Sequence, residues 1–191
     1  KKKIKNNPII IDIGANVGYF TMFAASKYPD STIYSYEPIY SNFEKLIKNK
    51  QLNDTKKIYC FNKAVCGHNG IIEIFFDKTD SFTTSATIVN DNINDDLQSI
   101  DVQCLTLAEV FKENNINNCD LLKLDCEGAE YDILFNTPKE ILIKIDQMAI
   151  EVHSGKNEKE NLYSLKEFLL KFNFKLFQFE DKPHMLWAYR A

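Results

Sequence analysis

The sequence predicts an α/β fold, a three-layer α/β/α sandwich around a mostly parallel sheet of seven strands, and three observations predict it. Short apolar runs alternate with segments of helical period from residue 9 onward. The first run, "IIIDI", is apolar enough to be covered on both faces, as strands of parallel sheets are. The chain closes with two strand-like segments joined only by "EDKPH". A parallel crossover takes about a dozen residues or more, so that closing pair is antiparallel.

Taken in order, residues 9–13 form the first strand, and 19–28 read as a helix stopped by Pro29. Residues 32–36, rich in β-branched and aromatic side chains, form a second strand that ends at Glu37-Pro38. Tyr40, Phe43, Leu46 and Ile47 recur at helical spacing over 40–52, and 57–61 is a third strand. A turn at 67–70 leads into "IIEIFF", one arm of a β-hairpin, and the polar stretch 77–96 reads as a substrate-side loop. The alternation resumes with strand 102–105, helix 107–114, strand 120–124, helix 127–135, strand 143–152 and helix 159–172. Strands 174–179 and 185–189 close the chain.

With 191 residues and a prior of roughly 100–200 residues per domain, a single domain over 1–191 is expected. Net charge is −4 and the sequence pI about 5.5, so no overall positive field would hold a phosphate backbone, and nucleic acid is not an expected partner. The five cysteines are dispersed and show no CxxC pair, which fits a reducing cytoplasm better than a disulfide scaffold or a zinc ribbon. No apolar stretch approaches the roughly 20 residues of a membrane-spanning helix, and no signal-peptide core is present. The abrupt start in a lysine run suggests a domain excised from a longer chain with fusion partners.

The stretch "IIIDIGANVGYF" concentrates the chemistry. In an open parallel sheet, ligands bind beyond the carboxyl ends of the strands, which is where Asp12, Gly14 and Gly18 fall. Gly14 can turn with positive φ and admit a close neighbour, and Gly18 relieves packing where the helix leaves the strand. A carboxylate ending an apolar strand costs several kcal/mol unless paired, so Asp12 calls for a cation. A dinucleotide fingerprint would place a pyrophosphate here, but Asp12 repels one and the third glycine is missing. An ammonium or sulfonium is favoured instead, by about 4 kcal/mol at 4 Å and an effective dielectric of 20. Glu37, about 20 residues after the turn, is placed to accept hydrogen bonds from a ribose, with Pro38 setting its angle.

A ribose and a cationic amino-acid end together describe S-adenosylmethionine. The segments "IIDIGANVGYFTMFAA", "SYEP", "NKAVCG", "DLLKLDCEGAEYDIL" and "IEVHSG", in this order, resemble the FkbM family of S-adenosylmethionine-dependent methyltransferases. The resemblance spans residues 9–155 and implies a Rossmann-like class I methyltransferase fold. It implies that Asp12 and Gly14 lie beside the methionine end, that Glu37 holds the ribose, and that Asn62, Lys63 and Ala64 run past the adenine. Ala15, Asn16, Gly18, Tyr19, Phe20 and Pro38 complete the cofactor-binding set so implied, and Asp125 lies beside the transferred methyl.

Candidate catalytic residues cluster at the next two strand ends: Asp125 and Glu127 after "LLKL", Glu151 and His153 in "AIEVHSG". Methyl transfer is an in-line displacement in which alignment supplies roughly 7–11 kcal/mol, and a hydroxyl acceptor also needs a base. His153 or Asp125 is expected to take that proton. Glu130 reads equally well as helix-dipole complementarity. Asp125, Glu127, Glu151 and His153 also resemble a divalent-metal set, but nothing fixes ligand spacing and no metal is expected. In the polar loop, Ser81, Thr83 and Ser85 around Phe82 are weak candidates for meeting a sugar; Trp187 reads as core. The reading is an O-methyltransferase acting on a small molecule, sugar or glycan precursor. A cofactor-binding module without turnover and an NAD-dependent oxidoreductase are the alternatives.

Overall fold

A computed structural model describes residues 4–53, 57–77, 97–155 and 157–190. Strand β1 (Ile9–Ile13) puts Ile11 and Ile13 into one apolar layer and Ile10 into another, the period-two pattern of a strand covered on both sides. Helix α1 (Tyr19–Lys27) leads to β2 (Thr32–Tyr36) and α2 (Tyr40–Leu52) to β3 (Ile58–Phe61), each strand parallel to the one before.

The middle of the chain departs from the expected alternation. Strands β4 (Ala64–Val65), β5 (Gly70–Asp77) and β6 (Leu97–Leu105) form a separate three-stranded sheet in the order β4-β6-β5. Strand 102–105 therefore belongs to this second sheet, and it is the antiparallel partner of the hairpin arm, with Gly70 opposite Cys104. The second sheet has its own core of Ile72, Ile74, Val102, Cys66 and Cys104, closed by Ile39 and Ala64. Of the polar loop, 78–96, including Ser81, Phe82, Thr83 and Ser85, lie outside the described residues.

Helix α3 (Leu107–Glu113) returns the chain to the main sheet, capped by Thr106, whose side chain accepts from Glu109 N–H at 3.2 Å. Strand β7 (Leu121–Leu124) lies parallel to β1 on the side away from β2. Then follow α4 (Glu130–Phe135), α5 (Lys139–Leu142), β8 (Gln147–Glu151), α6 (Leu162–Lys171), β9 (Lys175–Phe179) and β10 (Lys182–Tyr189). The seven-stranded order is β3-β2-β1-β7-β8-β10-β9, with β10 antiparallel to both neighbours. Helices α3 to α6 cover one face through Val110, Phe111, Leu134, Leu142, Leu165 and Leu169, and α1 covers the other through Ala24. This is the expected three-layer sandwich.

Three expected boundaries shift for local reasons. The helix expected at 127–135 begins only at Glu130, because Glu127 and Gly128 have φ of +52° and +98°, which a right-handed helix cannot contain. The strand expected at 143–152 begins only at Gln147, because the turn of α5 runs on past its end: Ile143 is still αR, and Lys144 and Ile145 N–H donate back to Ile141 O and Leu142 O. The helix expected at 159–172 starts at Leu162, since the Asn161 side chain caps it by accepting from Ser164 N–H at 2.9 Å.

Candidate active site

The order of strands reverses between β1 and β7, and the ends of β1, β2, β7 and β8 meet a crevice there. The first group at that edge is Asp12, which is wholly buried. Its Oδ2 accepts the Thr21 hydroxyl at 2.5 Å, and that hydroxyl also contacts Ser35 Oγ at 2.8 Å. Its Oδ1 faces Lys123 Nζ at 3.3 Å without a hydrogen bond of its own. The inference that Asp12 needs a cationic ligand is therefore corrected: Lys123, its register partner on β7, is the cation. Lys123 also donates to Gly14 O at 2.7 Å and lies 3.2 Å from Asp125 Oδ2. Burial opposes its charge, yet Asp12 and Asp125 outweigh that and raise its pKa above the usual lysine value.

The turn after β1 is pinned from two sides. Gly14 and Ala15 N–H both donate to Tyr36 O, at 3.1 and 3.0 Å. Gly14 has φ +73°, and a Cβ there would sit 1.7 Å from the Asp125 carbonyl oxygen, so β1 and β7 approach as only glycine permits. At Gly18, φ +92°, a Cβ would meet Leu46 Cδ1 at 2.5 Å, which is the packing role expected of it.

Beyond the turn lies a cavity of about 280 Å³, lined by Gly14, Asn16, Glu37, Pro38, Lys63 and Ala64 on one side and by Asp125, Glu127 and Glu151 on the other. Glu37 is buried at its edge, accepting Asn16 N–H at 2.7 Å on Oε2 and Ile39 N–H at 2.9 Å on Oε1. Burial pushes its pKa up to about 7, and those two N–H groups only partly offset the effect. Asn62 fixes the Glu37-Pro38 corner by donating to both carbonyls, at 2.9 and 2.8 Å. Lys63 pairs with Glu113 at 3.3 Å. Ala15 is buried behind the turn, and Tyr19 is 82% exposed on α1 and does not line the cavity. Phe20 lines a second cavity of about 490 Å³, with Met185 and Trp187, that shares Asp125 and Glu151 with the first.

His153 lines neither of these cavities but a third, beside Tyr131 and His184, and is held there between two carboxylates. Its Nδ1 lies 2.6 Å from Oε1 of fully buried Glu130, and its Nε2 lies 3.5 Å from Glu127 Oε2. The Glu130 hydrogen bond raises the imidazole pKa to about 9, against the opposing effect of burial. Burial also raises the pKa of Glu127. At neutral pH the ring is an imidazolium with no lone pair to offer, so the expectation that His153 takes a proton does not suit this geometry. Glu151, expected on the same side as His153, makes its contact instead with His184 Nε2 at 3.7 Å. Asp125, Glu127 and His153 do bring one ligand atom each within 4.8 Å of one another, whereas Glu151 is outside that group.

Sequence reasoning missed Lys123 and undervalued Glu130. Lys123 is the single cation in the apolar run "LLKL", a signal that gains meaning only once its register against Asp12 is known.

Comparison with known proteins agrees with this architecture. The family model "Methyltransferase FkbM domain" matches residues 12–179. A curated relative, Methyltransferase 1 of Beauveria bassiana, is 24% identical over 171 residues, covering 80% of this chain and 68% of its own length. The crystal structure of Methyltransferase FkbM from Methylobacillus flagellatus superposes with a TM-score of 0.67 at 13% identity, over 98% of this chain. This chain spans only 45% of that protein's length. The structure of M. capricolum TrmK with S-adenosyl-homocysteine matches with a TM-score of 0.53 at 16% identity, over 97% of this chain and 62% of its own. Among the described residues, no helix is long and apolar enough to cross a membrane. A match over residues 12–179, together with the sheet order and the crevice it creates, places the chain in the FkbM family of S-adenosylmethionine-dependent methyltransferases.

Proposed function

We propose that the protein is an O-methyltransferase that binds S-adenosylmethionine in the crevice beyond β1 and β2 and methylates a hydroxyl of a small molecule, sugar or glycan precursor. The observation that carries the cofactor half is Glu37. A carboxylate has about four lone-pair sites, and Asn16 and Ile39 N–H take one on each oxygen, leaving acceptor capacity for two ribose hydroxyls. The cavity of about 280 Å³ falls just below the roughly 300–1,000 Å³ usual for ligand pockets. Gly14, Asn16 and Pro38 would hold the cofactor on one wall, and Lys63 and Ala64 would border its base. When bound, S-adenosylmethionine supplies an electrophilic methyl on a sulfonium.

For the acceptor, the carboxylates shared by the two cavities, Asp125 and Glu151, frame the opening between them. Asp125 shares the Lys123 ammonium with Asp12, which holds its carboxylate in place as a hydrogen-bond anchor for a hydroxyl. Glu127, half-buried with a raised pKa, is the better proton acceptor, and the imidazolium of His153 stabilises it once ionised. The chemistry is assigned to a reducing cytoplasm, consistent with five free cysteines.

The test is a calorimetric titration with S-adenosylhomocysteine, with NAD in parallel and Glu37→Ala as control, followed by methyl transfer from labelled cofactor to a panel of polyols. Binding of the homocysteine compound alone, lost in the variant, supports the cofactor site. Preference for NAD would overturn the assignment, and binding without any labelled product would favour a module without turnover.

A further inference from the structure

We propose that Cys66, His68 and Cys104 form a zinc site on the three-stranded sheet, outside the methyl-transfer crevice. Their ligand atoms all lie within 4.8 Å of one another, and Cys66 Sγ is 3.9 Å from His68 Nδ1. A tetrahedral zinc with Zn–S of about 2.3 Å and Zn–N of about 2.0–2.1 Å sets S···N near 3.6 Å and S···S near 3.8 Å. Rotation of the His68 ring, which sits on an exposed turn, closes most of the difference. Both thiols donate to the same backbone oxygen, His68 O, at 3.1 and 3.5 Å, which draws the two sulfurs together beside the turn that carries His68; metal binding replaces these S–H···O contacts.

The donor set selects the metal. Two thiolates and an imidazole are soft to borderline ligands that suit zinc and disfavour magnesium or calcium. Binding forms two Zn–S bonds and one Zn–N bond and releases the two thiol protons to solvent, so the two thiolate charges cancel the cation's charge. The exposed side of His68 leaves the fourth position to water. Asp132, whose Oδ2 accepts Gly67 N–H at 2.6 Å, holds the turn that carries His68 and adds negative charge beside the site.

Such a site has a structural consequence for the crevice. Cys66 directly follows β4, whose two residues Ala64 and Val65 line the cavity together with Ile74 of β5. A metal joining the end of β4 to β6 and to the turn between β4 and β5 stiffens that wall.

The experiment is cobalt titration of the reduced, chelator-treated full chain, followed by displacement with zinc. The expected result is one equivalent of cobalt with tetrahedral d–d bands and thiolate-to-cobalt charge transfer, bleached by zinc, and slower alkylation of two thiols in the zinc form. His68→Ala, on the exposed turn, is expected to keep the far-ultraviolet circular dichroism of the native chain and to weaken cobalt binding by roughly tenfold or more; Cys104→Ser is expected to cut the charge-transfer band to about half, the share of the remaining Cys66 thiolate. The proposal is overturned by no cobalt uptake, by cobalt bands without charge transfer that vanish in Asp125→Asn, or by binding and alkylation that neither variant changes.

Discussion

His153 Nδ1 lies 2.6 Å from Oε1 of Glu130, a carboxylate with no solvent exposure, and this pair ties the segment after β8 to the first turn of α4. Tyr131 reinforces the junction by donating its hydroxyl to His153 O at 2.9 Å. The contact favours the imidazolium, whose Nε2 faces Glu127 on the cavity wall at 3.5 Å.

Because the folded pKa of His153 is raised from 6.5 to about 9, its contribution to stability is full below 6.5 and lost as pH rises through about 9. Urea unfolding across that window is expected to show stability declining with pH. Glu130→Gln should flatten the decline and return the imidazole titration, followed by NMR, toward 6.5. A wild-type imidazole that already titrates near 6.5 would refute the clamp.

In the proposed cofactor site Glu37 would accept from the ribose hydroxyls as a carboxylate, and its pKa of about 7 puts the change of state in the working range. Affinity for S-adenosylhomocysteine is expected to rise as pH increases through 7 and then level off. Loss of hydrogen bonds to a charged acceptor in Glu37→Gln should cost about 2 kcal/mol, roughly thirtyfold in Kd. A pH-independent affinity in calorimetry would detach Glu37 from the ligand.

Lys123 neutralises Asp12 inside the sheet. Removing it in Lys123→Met leaves a buried, uncompensated carboxylate and is expected to cost about 3–5 kcal/mol of unfolding free energy. The double variant Asp12→Asn with Lys123→Met should recover much of that loss in a urea double-mutant cycle. Additive losses would mean that the two residues act separately.

The two turn glycines should differ in tolerance. Gly14→Ala drives a Cβ into a backbone oxygen and should destabilise by about 4 kcal/mol or more. Gly18→Ala meets the end of a leucine side chain, which can move, and is expected to cost less. Thermal melts of both variants check the order.

Much of the fold is legible along the chain because period and punctuation are local. Ile9 to Ile13 reads as a doubly covered strand, Pro29 and Pro38 mark ends, and "EDKPH" is too short for anything but an antiparallel return. Glu37 and Gly14 are legible as a pair of signals for the same reason: each sits where a strand stops. The second sheet is not, since β5 and β6 are joined through the long polar stretch and nothing local states that Gly70 faces Cys104.

The α/β alternation, the closing antiparallel strands, the glycine turn and the carboxylates at strand ends are all written along the chain, together with the family motifs that link them. Strand register and helix entry are what make Lys123 the partner of Asp12, set the Glu130 carboxylate against the His153 ring, and bring Cys66, His68 and Cys104 together. The physical reason is range. Backbone conformation follows from neighbours in the chain, whereas the charge state of a buried group follows from whatever strand register and helix entry bring within a few ångströms of it.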